Sequence, residues 1–347
     1  MDGQEQNGEY IEPPGHLRVG VAYNLKSNII KEPRDAEAEF DDYSTILAIK
    51  NALEAPGCSI ELYPADMELP ERLARERPDI VFNIAEGMNG RGREAQVPAI
   101  LNYLSIPFTG SDETTMCLAI DKALTKKLLK IHRILTPKYT IYREDEHMSF
   151  RGIKFPVILK PNTEGSGKGI SGFSVARDAV ALRRHLLEAV RIYKQDIMIE
   201  EFIEGREFTV GILGDGAQAQ VFSPMEIIFR DNDNSIYSYD VKQHFKDYVD
   251  YKCPPDISSE TQTLIMKTAL KIYELLACKD CARIDFRMDR QGRIFFIEIN
   301  PLPGLAPGYS DYPMLAEFCG VSYNKLIRGI LNSALKRYGM PPIRQWR

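Results

Sequence analysis

The segment CARIDFRMDRQGRIFFIEINPLPG (281–304) constrains the fold more than any other stretch of the 347-residue chain. It reads as two strands around the turn DRQG, and side chains on a strand alternate between faces. Arg283, Asp285 and Arg287 therefore share one face of the first strand, and Ile284, Phe286 and Met288 the other. On the second strand Glu298 and Asn300 share a face, with Ile297 and Ile299 on the core side. A short turn at 289–292 sets Arg283 opposite Glu298, with Asp285 on the diagonal. Asp, Glu and Asn oxygens on one face suit magnesium, which prefers oxygen ligands and shares its coordination with phosphate. An arginine beside them can contact a transferring phosphoryl group or a developing oxyanion. The competing reading is a hairpin with a solvated charged face. The rigid PLPG turn directly after Asn300 argues against it.

A second constraint is KPNTEGSGKG (160–169), which follows the apolar run FPVILK. A Walker A loop needs glycine at position 162, which is asparagine, and serine or threonine at 169, which is glycine. A dinucleotide fingerprint needs a helix after its glycines, whereas ISGFSV reads as a strand. Strand, Lys160, loop 164–169 and strand remain. The amides of Gly165, Gly167 and Gly169 are then available to phosphate oxygens. An ordinary glycine-rich hairpin turn is the plainer alternative. MIEEFIEGREFTV (198–210) adds a connector: Glu200 ends a strand, Phe202 and Ile203 are apolar where the chain leaves the sheet, and Glu207 opens the next strand. Backbone groups near 201–203 can read an adenine edge and Glu207 can take ribose hydroxyls; the plainer reading is a polar connector between lobes.

Upstream, LRVGVAYNL, SIELYPA and DIVFNIAEG read as strands, with helices at DDYSTILAIKNALEA and AQVPAILNYLS and a short strand at IPFTGSD. This alternation predicts an α/β class chain with a mostly parallel first sheet, whose ligands bind at the carboxyl ends of strands. AEGMNGRGREAQ (85–96) lies at such an end. The expected organisation is a mobile tail at 1–16, a first α/β lobe at 17–115, a central lobe at 116–205 and a C-terminal lobe at 206–340. The polar, turn-rich stretch 229–260 is long for a structureless loop and reads as a lid or binding loop. The lysines of DKALTKKLLKIHRI read as a solvated face apart from Lys122, and His132, His147 and His185 as surface residues.

A net charge of −5 argues against a dedicated nucleic-acid binder. No apolar run approaches the roughly 20 residues of a membrane span. The polar, acidic start MDGQEQNGEYIEPPGH is unlike a secretory signal. Sparse cysteines imply free thiols in a reducing cytoplasm, and CKDC (278–281) lacks a second pair or nearby histidine to complete a zinc set.

FTGSD…DKALTKKLL, VILKPNTEGSGKGI, IEEFIEGREFTVGIL, DVKQ and ARIDFRMD…FFIEINPLPG, in this order, resemble the ATP-grasp superfamily, most closely its D-alanine–D-alanine ligase-like branch, over about residues 17–335. The resemblance implies an ATP-grasp fold behind an N-terminal parallel α/β pre-ATP-grasp domain, with ATP between the second and third lobes. It implies ATP phosphate contacts from Lys122, Lys160, Glu164–Gly169 and Lys242, with Ser166 orienting the first substrate. Adenosine contacts fall to Glu200, Phe202, Ile203 and Glu207. Asp285, Glu298 and Asn300 become ligands of two magnesium ions, replaceable by manganese, Arg283 the transition-state arginine, and Ser310 the holder of the second substrate's carboxylate. The implied chemistry joins a small-molecule carboxylate to an amine through an acylphosphate, and a homodimer through the first lobe is a family expectation.

Departures concentrate where substrate would sit. The glycine-glycine, serine, glutamate pattern after the first strand is absent, although Glu39, Asp41 and Asp42 lie nearby. Glu86-Gly87 replaces a histidine-glycine motif, and Gln243 stands where tyrosine or phenylalanine is expected. Arg93 and Glu94 fall where a substrate pocket is expected to open and read either as substrate contacts or as a surface salt bridge, and Gly304, Tyr309 and Ser310 sit in the divergent loop PGLAPGYSDYP. An ATP-dependent ligase of amino acids or short peptides, other than two D-alanines, is expected. The alternative is a nucleotide-binding regulator of the same fold without turnover.

Overall fold

The structure is a computed structural model. It describes residues 17–27, 35, 37–55, 57–143, 152, 154–165, 167–169, 174–230, 241 and 244–343. Its first sheet holds β1 (Arg18–Tyr23), β2 (Ser59–Pro64) and β3 (Ile80–Asn83), all parallel, in the order β2-β1-β3. The buried runs of β1 and β3 and the intervening helices α1 (Tyr43–Glu54) and α2 (Leu69–Glu76) follow the pattern of a sheet covered on both faces. IPFTGSD differs from expectation: it contributes only a single bridge from Phe108 to Val81. Beyond α3 (Gln96–Tyr103), Asp112 caps α4 (Glu113–Ile120) by accepting from the Thr115 amide, and Asp121 caps α5 (Lys122–Ile131) in the same way.

Of the α5 lysines expected to be solvated, Lys126 is instead buried, on the same face as Lys122, Ala123 and Leu129, which recur at helical spacing. Two residues of this buried face are lysines. His185 is likewise buried, between Leu182 and Leu186 on the inner side of its helix.

The second sheet is antiparallel, in the order β4-β7-β5-β6, from β4 (Tyr139–Tyr142), β5 (Val157–Pro161), β6 (Val175–Ala176) and β7 (Ile197–Glu201). Helix α6 (Ala179–Tyr193) packs on it. The strand expected over GISGFSV narrows to β6, with 170–173 outside the described residues.

The third sheet holds β8 (Gly205–Leu213), β9 (Gln220–Val221), β10 (Met225–Phe229), β11 (Val249–Lys252), β12 (Cys281–Asp289) and β13 (Ile294–Asn300). Its order is β11-β10-β8-β12-β13, with β9 on β8. Part of 229–260 is therefore regular. A short helix α7 (Phe245–Tyr248) leads into β11, which closes the sheet edge, and Ser258 caps α8 (Ser259–Leu275). Residues 231–240, 242 and 243 lie outside the described residues. Helices α9 (Asp311–Phe318) and α10 (Tyr323–Arg337) carry the chain back to the first sheet, so one core holds Val19, Val21, Ile46 and Ile49 with Tyr312, Leu326 and Ile330. Among the described residues no helix is long and apolar enough to cross a membrane.

Candidate active site

The site is built on a bulge. Around the tip of the β12–β13 hairpin, Met288 pairs with Ile294 and Phe286 with Phe296, but beyond a register shift Asp285 pairs with Glu298 and Arg283 with Asn300. The expected pairing of Arg283 with Glu298 is thus corrected by one extra residue, Ile297, in β13. Without it Asp285 would face Ile297, and Glu298 and Asn300 would turn toward the core. The bulge also explains why Phe296 and Ile299, three apart, are both buried while Ile297 is not in the core. On the polar face, Arg283 donates to both carboxylate oxygens of Asp285, at 3.1 and 2.9 Å, and lies 3.6 Å from Asp311. Thr209 donates to Asp285 at 2.7 Å, and Asn300 Nδ2 at 3.3 Å.

Lys126, fully buried, holds the bulge from behind. Its Nζ donates to the carbonyls of Ile297 (2.8 Å) and Phe296 (3.3 Å), and pairs with Glu200 at 2.7 Å. Lys160 reaches the same Glu200 at 2.6 Å. Desolvation opposes the charge on Glu200, but the two lysines outweigh it and hold its carboxyl below the usual range. Desolvation lowers Lys126 to about 8, against the pull of Glu200. One carboxylate between two lysines leaves this buried cluster with a net positive charge. Lys122 enters from α5, donates to the Glu164 carbonyl and lies 3.7 Å from Glu298.

The glycine loop runs over this face, and the anions its amides meet are carboxylates of the first lobe. Gly165 N donates to Glu39 at 2.6 Å, and Gly169 N to Asp35 at 2.7 Å. Gly167 and Gly169 have φ of 73° and 77°, a left-handed backbone that favours glycine. Glu164 pairs with Arg93 (3.2 Å) and Lys168 (2.9 Å). At the other end, Arg287 braces the connector: it donates to the Ile203 carbonyl at 2.7 Å, pairs with Glu207 at 2.6 Å and lies 4.7 Å from the centre of the Phe202 ring.

Toward the first lobe, Arg93 is buried and grips Glu39 at 2.6 Å and the Thr163 carbonyl at 2.7 Å. Its contacts join the first lobe to the loop. Gly87, with φ 78°, is required between Glu86 and Arg93: a Cβ there would lie 2.0 Å from the Arg93 carbonyl oxygen. Glu39, Glu86 and Glu94 each bring a carboxylate oxygen within 4.8 Å of the others. Desolvation and the mutual repulsion of these acids raise the Glu86 and Glu94 carboxyls. Ser310 precedes α9, and its Oγ accepts from the Ala306 amide at 3.2 Å while crowding Gly304. Tyr309 meets the Phe245 ring edge-on at 6.2 Å. Ser166, Lys242 and Gln243 lie outside the described residues. Lys126 and Arg287 were not singled out from sequence. The signal for Lys126 was its i+4 spacing from Lys122 on the periodic face of α5.

An antiparallel sheet with a glycine loop facing a second sheet with a carboxylate–arginine face, behind a parallel α/β lobe, defines an ATP-grasp fold. A D-alanine–D-alanine ligase of Bacillus anthracis, solved in complex with ATP, superposes with a TM-score of 0.72 at 22% identity, covering 93% of this chain and 99% of that one. The family profile described as D-ala D-ala ligase C-terminus matches residues 134–332. A D-alanine–D-alanine ligase of Aquifex aeolicus is 33% identical over 86% of this chain and 97% of its own length. An uncharacterised protein of Sinorhizobium fredii, y4sG, is 34% identical over 78% of each chain. The chain belongs to the D-alanine–D-alanine ligase family, whose members are ATP-dependent ligases.

Proposed function

We propose that the chain is an ATP- and magnesium-dependent carboxylate–amine ligase working through an acylphosphate, on substrates other than two D-alanines. One observation carries this: the bulge at Ile297 turns Glu298 and Asn300 onto the face of Asp285 and Arg283, with Lys122 3.7 Å from Glu298. An all-oxygen set of two carboxylates and an amide fits a hard cation. Asp285, Glu298 and Asn300 would hold magnesium, which when bound offsets the charge of the nucleotide phosphates.

The residues of the chain then divide the work. Lys122 and Lys160 supply fixed positive charge where phosphate oxygens lie, and the loop amides donate to them once Glu39 and Asp35 give way. A substrate carboxylate oxygen attacks the γ-phosphorus, the bond to the bridging oxygen breaks, and ADP leaves with that electron pair. The amine of the second substrate attacks the acyl carbon, its proton is lost, and inorganic phosphate departs. Arg283, anchored by Asp285 and Asp311, is placed to stabilise negative charge developing in both steps. Buried partners keep it from reorganising as charge forms. The substrate reading rests on Glu86 in place of histidine, on Gln243, and on the carboxylates that crowd the first-lobe side.

An ADP-release screen over pairs of D- and L-amino acids, dipeptides and small amines tests the reading. Turnover with some pair is expected, with loss of at least a hundredfold in Asp285→Ala and Glu298→Ala, about 2.7 kcal/mol of barrier. Magnesium-dependent ATP binding without ADP release on any pair would point instead to a regulator of the same fold.

A further inference from the structure

The cavity beneath the loop continues past Arg283 into a second pocket toward β1 and α1, both lined by Glu39, Glu86 and Gly304. Its acids are unequally compensated. Glu39 is spent on Arg93 and the Gly165 amide, Asp42 pairs with Lys26 at 3.0 Å, and Asp311 faces Arg283. Asp41, Glu86 and Glu94 have no hydrogen bond or ion pair from their carboxylates among the described residues. Glu94 is only 8% exposed, yet it lines the cavity. Desolvation also pushes the Asp41 carboxyl up to about 7. Leaving such acids charged and unpaired is costly, so the pocket is short of positive charge.

We infer that this pocket receives a substrate bearing a side-chain cation, a basic amino acid or a short peptide containing one, with its ammonium or guanidinium between Glu86 and Glu94. This rests on the ligase reading and names the substrate class for it. A neutral amino acid brings one ammonium and one carboxylate, which leaves the shortage in place; a second cationic group relieves it. Glu39 is committed to Arg93 and the Gly165 amide, and two carboxylates with waters also suffice to hold a divalent ion, so the manganese arm below separates an organic cation from one. An ammonium with three donors is satisfied by the two carboxylates.

Binding of lysine, ornithine, norleucine and alanine, each as both enantiomers, is measured calorimetrically in metal-free buffer. The same compounds then enter the ADP-release assay with magnesium. Lysine or ornithine is expected to bind at least tenfold more tightly than norleucine, which matches lysine in length and lacks the cation. Glu94→Gln and Glu86→Gln are expected to erase that preference while still binding ATP, which reports folding. Equal use of norleucine and lysine, with ADP released, overturns the inference and leaves the ligase reading standing. Lysine binding lost in Glu94→Gln, with no ADP release on any pair, keeps the cation site and removes the ligase reading. Saturable manganese binding in the absence of nucleotide, abolished by Glu94→Gln, overturns the inference in favour of a divalent ion.

Discussion

Glu200→Gln tests the charge arrangement under the cleft most sharply. The native cluster is one buried carboxylate between two buried lysines, at 2.7 and 2.6 Å. Substituting glutamine removes the only anion among the described residues that touches both and leaves Lys126 and Lys160 without it at 0% and 3% exposure. Breaking a buried ion pair by deleting one partner costs about 3–5 kcal/mol, because the other charge stays uncompensated. Lys126→Met is a different perturbation: it leaves Glu200 and Lys160 as a neutral pair. Its cost comes from the carbonyls of Phe296 and Ile297, each losing a donor, about 1–3 kcal/mol in all. The expected order of stability is wild type, then Lys126→Met, then Glu200→Gln. A pH signature accompanies it. The folded-state value of Lys126 is depressed to about 8, so above it the unfolded chain binds more protons and stability rises with pH toward the usual lysine range. Without Glu200 that value falls further, and the rise begins at lower pH. Urea midpoints at pH 7 and pH 9 measure both effects. If Lys126→Met proves less stable than Glu200→Gln, or if Glu200→Gln loses under about 1 kcal/mol, uncompensated buried charge does not govern this cluster.

Glu94→Gln is expected to be more stable than wild type at pH 8 and indistinguishable at pH 5. The native carboxyl titrates near 7 rather than in its usual range, so the folded state holds the extra proton and loses stability as pH rises through that window; thermal melts at the two pH values decide it. Arg287→Met is expected to raise KM for ATP about tenfold or more, with a smaller change in kcat, since it frees Glu207 and the Ile203 carbonyl at the connector; an unchanged KM would remove this segment from the nucleotide site. Gly87→Ala is expected to cost about 2 kcal/mol or more by chemical denaturation and to weaken substrate use through Glu86, because a Cβ cannot coexist with the Arg93 carbonyl.

Much of the site was legible because its chemistry is local. Alternation along β12 and β13 separates the polar from the apolar face, and the loop at 164–169 advertises itself by its glycines. What stayed hidden depended on non-local registration. The turn at 289–292 does not announce a bulge further along the strand, so the pairing of Asp285 with Glu298 could not be counted from it. Lysine is a poor candidate for a core position because burying an unpaired ammonium is costly. Only contact with Glu200 and the two bulge carbonyls makes 0% exposure tolerable for Lys126.

Sequence alone determined most of the strands and helices, the oxygen and arginine chemistry of residues 283–300, and the failure of the loop to meet Walker or dinucleotide patterns. These follow from side-chain period and backbone permissiveness, which act over a few residues. Tertiary structure decided that Glu298 shares a face with Asp285, that Lys126 is buried, that Asp35 and Glu39 occupy the amides of the glycine loop, and that Glu86 and Glu94 share an undercompensated pocket. Each of these is a balance of charge and desolvation among groups far apart in the chain, and such a balance exists only once the lobes have closed on one another.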